Sequence, residues 1–289
     1  MSVKQANSQV TLLIGPQTRL SDALNNTVRQ YGDFIADAGV TAITNRIAGS
    51  TLRAAAAENL SDGERQATLE SGLSLKDGRP VFLSVINFLG PPTDAFRQQE
   101  LFPNSGRTVS GVGPAFSTMV SRVVVTIEPL HHFLLSLPSP TLHERIAKSR
   151  WEVLYELKWS DLVLELCEAF PLSRVLVVTP DAAFFGAKTV LSELFGTAGC
   201  EIDPILLQRP RLMLDGQAAL AQLHATNDLG PDILEKLFAA HRDTPDPAQL
   251  ETRIGIDKAT SKLLDQRFLE DLHDIEQLPN AHLLRWYRP

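Results

Sequence analysis

Apolar residues gather along this chain in four short runs: Val10–Ile14, Pro80–Ile86, Arg122–Ile127 and Arg174–Thr179. Each is rich in Val, Ile, Leu or Phe and lacks strict alternation, as expected of parallel strands covered on both faces. Between the runs the apolar positions take helical spacing. Ser21–Tyr31 opens on Ser-Asp, a favourable helix cap. Ser61-Asp-Gly-Glu64 and Thr141-Leu-His-Glu144 both have capping-box spacing. The second box predicts a helix over Thr141–Trp159, continued by Ser160–Phe170 and stopped by Pro171; another helix starts at Gly230-Pro231 and runs to about His241.

Strands alternating with helices predict an α/β fold of three layers, a mainly parallel central sheet with helices on both faces. A ligand on such a sheet belongs at the carboxyl ends of its strands. The pattern predicts one domain over residues 1–289, with an irregular segment at 88–114 and a helical C-terminal part at 211–289. Thr244–Pro247 is expected to be a short exposed turn.

Composition narrows the function classes. With 27 Lys+Arg against 34 Asp+Glu the net charge is -7, and no stretch concentrates the cations. A nucleic-acid partner calls for a basic patch, so none is expected. No apolar run approaches the ~20 residues of a membrane span, and the N-terminus lacks the apolar core of a signal peptide. A cytoplasmic protein is expected. Cys167 and Cys200 have no metal or CxxC spacing and are expected to be free thiols.

The stretch VTLLIGPQTRLSDAL, Val10–Leu24, has the outline of a phosphate loop: strand, Gly turn, polar loop, helix. Such loops converge backbone N–H groups on an anion and add a Lys and a hydroxyl. Here Gly15 makes the turn and Ser21 offers the hydroxyl; Thr18 stands where the Lys belongs, and Arg19 is the nearby cation. His131-His132 is the other candidate chemistry, since His is the commonest general base. Adjacent helical residues point about 100° apart, so this pair is not expected to grip one metal ion, and a surface or packing role is the ordinary alternative. No metal site is expected.

Together with SVINFLG (Ser84–Gly90), IEPLHHFLLSL (Ile127–Leu137) and LLDQRFLEDLHDI (Leu263–Ile275), the loop resembles a group of bacterial sulfotransferase-like proteins. These are related to the P-loop enzymes that use 3′-phosphoadenosine 5′-phosphosulfate (PAPS). The resemblance implies a P-loop fold and a cradle for PAPS, or its bisphosphate product, from Gly15, Gln17, Thr18, Arg19, Ser21 and Ser136. In the family a loop like GPPKTGTT holds the 5′-phosphosulfate, and an Arg ending the third strand joins a Ser eight residues later on the 3′-phosphate. This chain keeps Gly15, Pro16 and Ser21, has no loop Lys, and places Glu128 eight residues before Ser136. Family members often carry acidic residues before NFLG as candidate bases, where this chain has Val85 and Ile86. A carboxylate facing a phosphate at about 4 Å costs roughly 4 kcal/mol at an effective dielectric near 20. The expectation is therefore a non-catalytic binding or interaction module, with a small molecule or a protein as partner. The alternative is an active sulfotransferase moving a sulfuryl group to a hydroxyl acceptor, with Arg19 replacing the Lys and His131 or His132 as base.

Overall fold

Consecutive residues of the apolar runs point to opposite faces, and both faces are buried. Leu12, Leu83, Val123 and Val175 enter one core; Leu13, Phe82, Val124 and Leu176 enter another across the sheet. That is why the runs lack alternation: each strand has a hydrophobic layer on either side. A computed structural model describes residues 10–57, 60–73, 75, 78–90, 96–97, 100–103, 105–112, 114–137, 143–144 and 152–285.

The sheet has six parallel strands, β1 (Val10–Gly15), β2 (Thr41–Ile43), β3 (Val81–Ile86), β6 (Val120–Thr126), β7 (Arg174–Val178) and β8 (Ala281–Leu283), in the order β2-β3-β1-β6-β7-β8. The other two, β4 (Phe96–Arg97) and β5 (Glu100–Leu101), form a small antiparallel pair. One core takes the helices Asn45–Ala55, Trp159–Ala169 and Lys258–Glu276; the other takes Arg19–Gln30 and Ala187–Phe195. A third cluster, around Phe184, Leu220 and Phe238, seats the helices Leu214–Thr226 and Pro231–His241. Among the described residues no helix is long and apolar enough to cross a membrane.

The chain departs from expectation at several places. β6 begins at Val120, because the Pro114–Met119 helix runs directly into it. The described residues of the segment 88–114 include buried Phe88, Leu89, Leu101 and Phe102, the strands β4 and β5 and the helix Ser105–Ser110. The carboxylate of Glu165 holds that helix, accepting from Gly106 N at 3.0 Å and from the Ser105 hydroxyl. The C-terminal part is helical only until β8, which pairs with β7. Pro231–His241 stands as read, with Gly230 at its cap. The box at Thr141 lies outside the described residues. Of the helix expected over Thr141–Trp159, Glu152–Glu156 is helical, while Trp159 opens the next helix.

β1 lies between β3 and β6, so the chain winds away from it in both directions. The crevice at the carboxyl ends of β1 and β6 is the place such a sheet offers a ligand.

Candidate functional site

Gly15 ends β1 at φ 134°, a conformation that L side chains rarely adopt, and a Cβ there would stand 3.1 Å from Val125 Cγ2. Three residues on, Thr18 rather than Ser21 caps the first helix. Ser21 N donates to Thr18 Oγ1 at 3.0 Å, and Thr18 N donates to Ser21 Oγ at 2.8 Å. This reciprocal box uses both hydroxyls and both amides. Thr18 Oγ1 also lies 2.9 Å from Thr126 Oγ1, 108 residues later, which ties the loop to the end of β6. Both side chains are buried. Gln17 donates to Asp22 Oδ2 at 3.2 Å and accepts from Asn87 Nδ2 at 3.1 Å. Arg19 forms an ion pair with Asp243. The polar groups of the loop are thus engaged by one another and by Asp22, Asn87, Thr126 and Asp243.

Beyond Thr126 the chain passes Ile127 and Glu128, and Pro129 opens the helix Leu130–Ser136. Trp159, fully buried, donates its Nε1–H to Glu128 O at 2.7 Å and fixes the backbone there. The Glu128 side chain is 6% exposed, and its Oε1 has no hydrogen-bond partner among the described residues. Burial pushes this carboxyl up to about 7, while Arg211 and Arg19 pull it down. Glu128 sits on the wall of a cavity of about 290 Å³, with Arg19, His132, Ser136, Arg211 and Arg253. Ser136 donates its hydroxyl proton to Phe133 O at 2.6 Å. Arg211 is held by Asp181 at 2.6 Å, and the guanidinium groups of Arg211 and Arg242 lie over the Phe238 ring at 5.8 and 5.2 Å. Arg253 reaches His143 Nδ1 at 3.2 Å. Asp243 and Asp246 complete the polar rim, so carboxylates stand among the arginines Arg19, Arg211 and Arg253 of the lining.

Comparison of the chain with family models, with curated proteins and with solved structures gave no match.

The two histidines do not diverge as expected. Their rings lie 4.3 Å apart, nearly edge to face, and His131 is fully buried beneath its neighbour. Burial lowers His131 to about 4; burial, His131 and the arginines lower His132 to about 2. Both are therefore neutral at pH 7, and burial makes each a weaker base than a free imidazole.

The expected cavity residues Arg19, Glu128, His132 and Ser136 do come together. Thr18, Ser21, Gln17 and Gly15 stand behind them in the loop, outside the cavity lining. Arg211, Asp243 and Arg253 belong to the lining as well and were missed. They come from the C-terminal helical part, where the expected turn also gives Thr244, Pro245 and Asp246 to the lining.

Proposed function

We propose that this is a sulfotransferase-like binding module, without sulfuryl-transfer activity, whose crevice takes a small polar molecule other than PAPS. The observation that carries the reading is Glu128: a buried carboxyl with an unpartnered oxygen at the wall of a 290 Å³ cavity. Buried polar groups are nearly always hydrogen-bonded, and an orphan at a cavity wall calls for a ligand or water group to serve it. At a value near 7 the group is able both to donate and to accept around neutral pH. The carboxyl groups of Glu128, Asp243 and Asp246 among the arginines of the lining favour a neutral or zwitterionic molecule over a bisphosphate carrying several negative charges. Active transfer needs hydroxyls free to hold the phosphosulfate and a base for the acceptor; Thr18 and Ser21 are engaged with each other, and burial weakens both histidines as bases.

The test is a melting-temperature screen of small neutral and zwitterionic compounds bearing hydroxyl, amine or carboxylate groups. Hits are expected, and Gln249→Trp, which places a bulky ring in the exposed part of the lining, should abolish them. A screen without hits, or hits that persist in Gln249→Trp, would contradict the reading.

A further inference from the structure

We propose that His131, His132 and Asp265 hold a divalent transition-metal ion of the zinc class at the wall of this cavity. One candidate ligand atom from each residue lies within 4.8 Å of those of the other two, a separation that an ion could close with small side-chain shifts. Two imidazoles and one carboxylate form a donor set that suits zinc, iron, cobalt or nickel better than the hard, all-oxygen ions calcium and magnesium.

A second observation points the same way. The Nδ1 atoms of both histidines are buried and have no hydrogen-bond partner among the described residues. One such nitrogen in a folded protein is uncommon, and two on stacked neighbouring rings call for a shared explanation. An ion between them supplies it.

The elements are arranged to present the set. His131 and His132 occupy the first turn of Leu130–Ser136, directly after β6. Ser261 and Asp265 lie one turn apart on the same side of Lys258–Glu276, a helix that packs against that turn. Ser261 Oγ is 3.1 Å from His131 Nε2 and orients the ring from the helix side, as a partner of a ligating imidazole does. Asp265, whose Oδ1 is 3.5 Å from the same nitrogen, is the carboxylate donor of the set.

Charge sets the limits of the site. Arg19, Arg211 and Arg242 stand near His132, and Arg242 near Asp265. Arg19 is paired with Asp243, and Arg211 and Arg242 with Asp181, which offsets part of their repulsion. What remains disfavours a cation held by charge alone and leaves one held by imidazole donors. Three protein ligands leave a coordination position for water or a ligand atom. Since His132 also lines the cavity, a molecule bound there lies within reach of the ion. The site does not depend on which molecule the cavity takes.

Cobalt(II) is the probe, because its visible bands report ligation by nitrogen and oxygen directly. The full chain, stripped with chelator, should bind one Co²⁺ with new visible absorption that Zn²⁺ displaces. Asp265→Asn alters a half-exposed side chain and should leave the far-ultraviolet dichroism unchanged. Its Co²⁺ affinity should fall by at least the roughly 10-fold that loss of even an outer partner costs. His132→Ala should lose the visible bands. The proposal is overturned if the natural chain gives no bands at millimolar Co²⁺, or if either variant binds with unchanged affinity.

Discussion

At the scale of single residues, Glu128 and Thr18 decide what the crevice is able to do. Glu128 is raised from 4.5 to about 7 by burial, so the folded protein holds a proton that the unfolded chain releases between those values. Its stabilising contribution is therefore complete below about pH 4.5 and is lost as pH rises through about 7. The total is on the order of 3 kcal/mol at 1.36 kcal/mol per unit. Glu128→Gln, which cannot ionise, should match the natural chain near pH 4.5 and exceed it in stability at pH 8, as measured by urea unfolding. Equal stability of the two at pH 8 would mean that the carboxyl is solvated. Thr18 shows the second constraint. Removing its hydroxyl in Thr18→Ala deletes the cap and the bond to Thr126, at a cost of about 1–2 kcal/mol. Thr18→Ser should restore most of it. If Thr18→Ala melts like the natural chain, the hydroxyl is free for a ligand after all. Thr18→Lys would drive an ammonium group into a site only 2% exposed.

At the scale of elements, the long helix Lys258–Glu276 organises the crevice from outside. Asp271 accepts from Trp159 N at 2.6 Å and Ser160 N at 3.1 Å, a cap supplied 112 and 111 residues later in the chain. Trp159 in turn holds the carbonyl of Glu128. Asp271→Ala leaves two buried amides without acceptors, each worth about 1–3 kcal/mol, so a loss of roughly 2–4 kcal/mol is expected in chemical unfolding. A loss under 0.5 kcal/mol would show that water serves these amides. This cap also marks where the sequence stops being readable. β1, β3, β6 and β7 were visible because a strand buried on both faces is written locally as an apolar run. Ser61's box and Gly230-Pro231 were visible because caps act over three residues. β2 and β8 have only three residues each, too short for a periodicity. Ser21 opens a polar–apolar pattern and so reads as the first helix's cap, whereas the cap is Thr18, which stands where a phosphate loop has its Lys. Helix geometry alone turns His131 and His132 apart, and only the packing of Lys258–Glu276 shows where the rings go.

At the scale of the whole molecule, a parallel sheet with β1 between β3 and β6 brings Gly15–Arg19 and Glu128–Ser136 to one edge, as the crossover topology requires. That juxtaposition follows from a parallel sheet whose neighbouring strands β1 and β6 end on the same edge. The C-terminal contribution to the same edge was not legible in the sequence, because Arg211, Asp243 and Arg253 meet the loop only through tertiary packing. The result is a crevice at the carboxyl edge of the sheet in which carboxyl groups stand among the arginines. The most direct test of that description is the melting temperature of the natural chain in rising 3′,5′-adenosine bisphosphate. A ligand at 100 times its dissociation constant stabilises the folded state by about 2.7 kcal/mol, or several degrees at roughly 2–4 °C per kcal/mol. No shift is expected up to millimolar nucleotide. A saturable rise at micromolar concentration would contradict the account, because Thr18, Ser21 and Glu128 would then have to rearrange to receive phosphate.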